Sequence, residues 1–174
     1  REDVQSENRP TGQQAPSDYP PAPTGRVTID LDQVARNWRG LADLVAPAVC
    51  GAVVKANAYG LGAARIIPAL SQAGCRVFFI ATPQEGIEAR HFAPDAEIYA
   101  LDGLLPGSAE NFARHDIHPV LSTYDDVQTW AQLSTQQGRR LACGLHIDSG
   151  LNRLGLSARD ARHLAEPGGG QSDG

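Results

Sequence analysis

Apolar residues are almost absent from positions 1–25, where Pro10, Pro16, Pro20, Pro21 and Pro23 stand among Ser, Gln, Asn and Asp. Such a stretch cannot bury enough apolar surface to offset the entropy of ordering it, and is expected to form a disordered arm. From Arg26 the pattern changes. Val27 and Ile29 alternate with polar residues as a short strand would, and Val34, Trp38, Leu41 and Val45 recur at helical spacing behind an Asp30 cap. Short apolar runs follow at 52–54, 77–81, 98–101, 117–121 and 141–147, each leading into a turn signal and a helical stretch. Their spacing of roughly 20–26 residues is that of a strand plus a crossover helix. Helix starts are marked chemically: Thr82-Pro83-Gln84-Glu85 reads as a capping box with Pro at the first helical position, and Ser122 with Asp125, and Ser157 with Asp160, place a carboxylate three residues after a hydroxyl. Continuous apolar strands predict burial on both faces, as in a parallel sheet under helices. The class is α/β, either a doubly wound sheet or the start of an eight-stranded barrel. A barrel takes about 250 residues, so residues 26–165 would hold roughly five of its eight strand–helix units. Where a sixth strand would fall, residues 166–174 dissolve into turn formers and are expected as a flexible Gly-rich tail.

Composition narrows the class. Fifteen Lys and Arg against 20 Asp and Glu leave a net charge of −5, without the basic stripe of a nucleic-acid binder. No run approaches the roughly 18 apolar residues of a membrane span, and none resembles the core of a signal peptide. Cys50, Cys75 and Cys143 are odd in number and lack C-x-x-C pairing, which argues against a disulfide framework or a cysteine zinc site and fits a reducing cytoplasm. His91, His115, His118 and His163 show no metal-ligand spacing, and Asp102, Glu85 and Glu88 read as caps and solvated faces; none is assigned a role and no metal is expected. The chain has no Met and opens at Arg1, which is read as the interior of a longer product, a fragment.

The chemistry concentrates in Val53-Val54-Lys55-Ala56-Asn57-Ala58-Tyr59-Gly60-Leu61-Gly62. An ammonium group directly after a buried strand is costly unless solvated, paired or chemically used. At the carboxyl end of a parallel strand it belongs to the mouth where α/β folds build their sites. An amine tuned toward neutrality there can attack an aldehyde and form an imine, which makes Lys55 a candidate Schiff-base lysine. A lone strand-end lysine more often snorkels to water, so the lysine by itself does not choose between the two. Gly60 and Gly62 allow a tight turn before the helix of Ile66, Ile67 and Leu70, leaving the Tyr59 hydroxyl free to donate to an anion.

As a whole, this decapeptide resembles the cofactor-lysine motif of alanine racemases, pyridoxal-phosphate enzymes built from a barrel followed by a β domain. A second segment, His146-Ile147-Asp148-Ser149-Gly150-Leu151-Asn152-Arg153-Leu154-Gly155-Leu156, resembles the family's segment after the fifth barrel strand, where an aspartate, a small hydroxyl residue and a glycine lead to an arginine. The resemblance covers residues 26–165 and implies a parallel (β/α) barrel of the TIM type, incomplete here, with the C-terminal β domain missing. It implies that Lys55 forms an imine with pyridoxal 5'-phosphate and then serves as the base on the D-alanine face of Cα. Tyr59 would hydrogen-bond the cofactor phosphate. Arg153 would sit near the cofactor's phenolic oxygen and hold the substrate carboxylate, a task suited to a planar fork of donors. The implied reaction interconverts L-alanine and D-alanine for peptidoglycan synthesis, in a cytoplasmic homodimer with a small-molecule substrate and no nucleic-acid or membrane partner.

The match has departures. His146 stands where many members carry a lysine that can be carbamylated to steady the arginine, Ser149 replaces a threonine and Leu151 a methionine. The family's opposite-face base is a tyrosine from the partner's C-terminal domain, so this chain by itself is expected to lack racemase turnover. Two other readings share a lysine-bearing first strand: a non-catalytic pyridoxal-phosphate-binding homeostasis module, and a barrel-type decarboxylase of basic amino acids. The former lacks the Ala-Asn-Ala-Tyr-Gly signature and the Asp-to-Arg segment seen here.

Overall fold

The computed structural model describes residues 27–166. The arm expected over 1–25 lies outside the described residues, as does the expected tail beyond its first residue. Helix α1 (Leu31–Val45) starts where Asp30 Oδ1 accepts the Gln33 N–H at 2.9 Å, and turns Val34, Ala35 and Trp38 toward the core. The chain continues through β1 (Ala52–Val53), the short turn α2 (Lys55–Tyr59), α3 (Ala63–Ala73), β2 (Val77–Ile80), α4 (Pro83–Phe92) and β3 (Glu97–Ala100). It then runs through α5 (Ala109–Arg114), β4 (His118–Leu121), α6 (Tyr124–Gln136), β5 (Gly144–Leu145) and α7 (Ala158–Ala165).

All four strand pairings are parallel, and the sheet order is β1-β2-β3-β4-β5. That order decides between the two expected architectures. A doubly wound sheet reverses direction at a switch point, whereas a barrel adds each strand beside the last. The chain is a five-strand arc of a (β/α) barrel.

Burial agrees with an arc. Phe78, Ile80, Ile98, Ala100 and Leu121 point to one face and are sealed beneath the helices. The other face, with Val53, Phe79, Tyr99 and His118 in register, is only partly covered, and Val53 remains 45% exposed. The expectation of strands buried on both faces is therefore corrected: helices cover one side, and in a closed barrel the opposite strands cover the other.

Two local expectations also shift. Residues 27–30 form no strand, and Val27 is 84% exposed; no strand lies beside them among the described residues, and alternation without a pairing partner does not make a ladder. The α6 cap is Thr123, one residue beyond Ser122. Thr123 Oγ1 accepts the Asp126 N–H at 3.1 Å, while Asp126 Oδ2 accepts the N–H groups of Thr123 and Ser122 at 3.2 and 3.1 Å. Ser157 caps α7 as expected, accepting from the Asp160 N–H at 3.1 Å. Among the described residues no helix is long and apolar enough to cross a membrane.

Candidate active site

The carboxyl ends of the strands share one rim. The Val54 N–H donates to Phe79 O at 2.8 Å, Leu101 to Ile80 O at 2.8 Å, Asp102 to Ala81 O at 3.2 Å and His146 to Leu121 O at 2.9 Å. Lys55 is the second residue past β1, half-buried on that rim, and its ammonium makes no hydrogen bond or ion pair among the described residues. An amine left unpaired at the mouth of a parallel arc is available to a ligand.

The backbone after Lys55 is unusual. Ala56, Asn57 and Ala58 have φ of 51, 54 and 54° with ψ near the same values, and Tyr59 has φ 53°, so four non-glycine residues in succession form a left-handed turn. Such a conformation costs roughly 1–2 kcal/mol per residue, several kcal/mol over the run, and persists only where its surroundings over-determine it. Here they do. Ala58 is buried, its N–H donates to Val54 O at 2.8 Å, and Gly60 and Gly62 donate to Ala56 O and Asn57 O at 2.9 and 3.0 Å. Asn57 Oδ1 accepts the Ala63 N–H at 2.7 Å, supplying the start of α3 with an acceptor that Gly62 has no side chain to offer. Glu85 reaches across from α4: Oε1 accepts the Ala56 N–H at 2.7 Å and Oε2 the Ala81 N–H at 2.8 Å.

Sequence reasoning missed both Asn57 and Glu85. The signal for Asn57 was its type, since Asn tolerates the left-handed region and caps helices. By its spacing Glu85 is expected to close a capping box on Thr82. Thr82 Oγ1 does accept the Glu85 N–H at 3.3 Å, but the carboxylate bypasses the Thr82 N–H for donors on two other strand ends.

The second segment folds into a loop at the far edge of the arc. Ile147 and Leu156 bridge in parallel, the Asp148 N–H donates to Leu156 O at 2.9 Å and the Leu156 N–H to His146 O at 2.7 Å. Within it, Asp148 Oδ1 accepts from Gly150 N–H at 2.9 Å and Asn152 N–H at 3.0 Å, and these two donors hold its carboxyl below the usual range. Gly155 is required by contact, because a Cβ there would lie 2.7 Å from the Asp148 nitrogen.

Lys55 and Tyr59 share one turn; Arg153 does not join them within the arc. Tyr59 is 63% exposed, and neither its hydroxyl nor the exposed Arg153 guanidinium has a partner among the described residues. Arg153 follows β5 while Lys55 follows β1, four strands and about 19 Å apart along the sheet. The unpartnered Lys55 amine and Tyr59 hydroxyl, on one turn, offer an anionic, aldehyde-bearing molecule a nucleophile and a hydrogen-bond donor. A cavity of about 290 Å³, bounded by Ser71, Cys75, Arg76 and Asp95, lies at the other end of the sheet, away from these groups. Among the described residues no group of three or more His, Cys, Asp or Glu could hold a metal ion.

Residues 29–168 match the family model described as "Alanine racemase, N-terminal domain". The chain is 48% identical over 140 residues to the alanine racemase of Methylobacterium sp. (strain 4-46), covering 80% of this chain and 38% of that protein. It is 46% identical over 143 residues to the alanine racemase of Brucella ovis, covering 82% of this chain and 36% of that protein. Among solved structures, it is similar to the alanine racemase of Bartonella henselae with covalently bound pyridoxal phosphate, with a TM-score of 0.75 and 38% identity over 78% of this chain and 38% of that one. The enzyme from D-cycloserine-producing Streptomyces lavendulae gives a TM-score of 0.71 at 31% identity, over 78% of this chain and 36% of that one. The chain thus spans well under half the length of the relatives it matches.

Proposed function

Since this chain belongs to the alanine racemase N-terminal domain family, we propose that it is the pyridoxal-phosphate-binding part of an enzyme that interconverts L-alanine and D-alanine, with Lys55 holding the cofactor. The observation that carries this reading is the unpaired Lys55 amine on the rim of a chain-order parallel arc. It is supported by the relative from Bartonella henselae, whose pyridoxal phosphate is covalently bound.

Pyridoxal phosphate, when bound, supplies an electron sink that lets an amino acid release its Cα proton. Lys55 Nζ would be the group that holds the cofactor and, once freed, would carry a proton to and from one face of the substrate Cα. The Tyr59 hydroxyl, on the turn that follows β1, would donate to the cofactor's phosphate. The Arg153 guanidinium takes the substrate carboxylate through two parallel N–H groups and so fixes which bond of Cα faces Lys55. The Asp148 loop steadies the backbone that carries Arg153; His146, near the start of the same loop, cannot form the carbamate that serves this purpose where a lysine stands.

Inversion takes a proton donor on each face of Cα, and Lys55 serves one. We assign the other to the partner subunit of a homodimer, formed by the complete protein. Its D-alanine would serve peptidoglycan synthesis in the cytoplasm, a compartment in keeping with Cys50, Cys75 and Cys143, all of which are free thiols.

Borohydride reduction of the chain with pyridoxal phosphate, followed by peptide mapping, tests the assignment. Lys55 is the one lysine of the sequence, so label is expected there and is expected to vanish in Lys55→Ala; label confined to the N-terminal amine would remove Lys55 from the site.

A further inference from the structure

The chemistry assigned to the rim makes no use of Glu85, yet its carboxylate touches the peptide that carries Lys55 into the left-handed turn. We propose that Glu85 is a positioning residue for Lys55, its two carboxylate oxygens fixing the Lys55–Ala56 peptide against the end of β2. The proposal rests on the reading of Lys55 as the cofactor lysine and deepens it.

Three observations converge. Glu85 Oε1 accepts the Ala56 N–H at 2.7 Å and Oε2 the Ala81 N–H at 2.8 Å, so one side chain joins the exits of β1 and β2. Both distances are those of charge-assisted hydrogen bonds. On the other side of Lys55, the Val54 N–H is held by Phe79 O at 2.8 Å. The amides of residues 54 and 56 are thereby tied to β2 or to the helix after it, and the lysine Cα between them is held from both sides. Finally, Ala56 is the first of the four residues with positive φ, so the bond is placed where the chain enters its least favourable conformation.

The pair of donors also explains the residue type. Two N–H groups converge on one side chain, and a carboxylate can accept both; a Gln would turn its own NH₂ toward one of them. Glu85 stands on the first turn of α4, whose start is held independently by Thr82 Oγ1. It is therefore a rigid arm fixed apart from the turn it restrains.

Three variants separate positioning from stability: Glu85→Gln, Glu85→Ala and, as a control, Thr82→Ala, which weakens the same helix start but keeps the carboxylate. Each is measured where circular dichroism shows it folded, first by hydrogen exchange at the Ala56 amide without cofactor, then by the rate at which borohydride fixes pyridoxal phosphate on Lys55. Both Glu85 variants are expected to exchange about tenfold faster at Ala56 and to trap about tenfold more slowly, with Thr82→Ala unchanged on both counts. Unchanged exchange in Glu85→Gln would overturn the clamp. Faster exchange with unchanged trapping would overturn the positioning role, as would an equal loss in Thr82→Ala. Glu85→Gln, nearly the same size as the native residue, carries the test if Glu85→Ala does not fold. If the unsubstituted chain takes no label on Lys55, the proposed function falls, whereas the Ala56 exchange rate still decides the clamp.

Discussion

Asp148 is the residue whose electrostatics the loop geometry alters most directly. With the Gly150 and Asn152 N–H groups donating to Oδ1, its carboxyl is held below the ordinary value of 3.8. A carboxyl with a depressed folded value stabilises the fold above its unfolded value, and that contribution is lost as pH falls through the folded one. The loop should therefore keep its form through neutral and mildly acidic conditions and loosen only at pH below 3.8. NMR titration of the Asp148 side-chain carbon is expected to give a midpoint under the ordinary value, with exchange at the Gly150 and Asn152 amides quickening through the same range. A midpoint at or above 3.8 would mean that these hydrogen bonds do not persist in solution. Because the same loop carries Arg153, the order of that arginine should decline in parallel.

At the level of strands and helices, the two ends of the arc are built for different purposes. The carboxyl end carries unpartnered side chains and a strained turn; the amino end is tied down. Arg90, in the last turn of α4, is its principal tie. Its Nε donates to His115 O at 3.3 Å, one terminal nitrogen donates to Pro94 O and Ala96 O at 2.9 and 2.6 Å, and the other donates to Asp116 O. The Asp116 carboxylate lies 3.6 Å from that last nitrogen. One guanidinium thus gathers the approaches to β3 and β4, using a donor fork that a lysine lacks. Arg90→Ala is expected to cost about 3 kcal/mol, leaving several carbonyls without their donor, and Arg90→Lys to recover only part of it. Urea denaturation reads both; a loss under 0.5 kcal/mol, the range of an ordinary surface substitution, would contradict the role.

The molecule as a whole is an arc whose concave face is only partly covered and whose two edges are unpaired among the described residues. Phe79 stacks on Tyr99 with ring centroids 5.5 Å apart, and Tyr99 meets His118 edge-on at 5.0 Å, a row of rings along a face that a closed barrel would fill from the other side. At the margins, β1 and β5 each offer an unpaired edge, and Leu145 in β5 is 53% exposed. The 174-residue chain by itself is therefore expected to self-associate as concentration rises, and Leu145→Lys, which places a charge on one edge, to shift it toward monomer. Sedimentation velocity over a concentration series measures this. A chain that stays monomeric throughout would show that its edges are protected in some other way.

The strand–helix alternation, the five strand positions within a few residues, the Asp30 and Ser157 caps and the lysine at the end of the first strand were all legible in the residues, because burial periodicity and capping act over a few positions. Local signals also misled for the same reason. Val27 and Ile29 alternate like a strand but have no neighbour to pair with, and Ser122 has the right type for a cap but stands one residue early. What the residues could not supply came from parts of the chain that fold together from a distance. The strand order that excludes a doubly wound sheet is a matter of pairing. The left-handed run after Lys55 is imposed by its surroundings against the preference of alanine. The Glu85 carboxylate finds its donor 29 positions away, at the Ala56 amide. A side chain's type can be read along the chain, but a hydrogen bond to a distant amide exists only once folding has brought the two together.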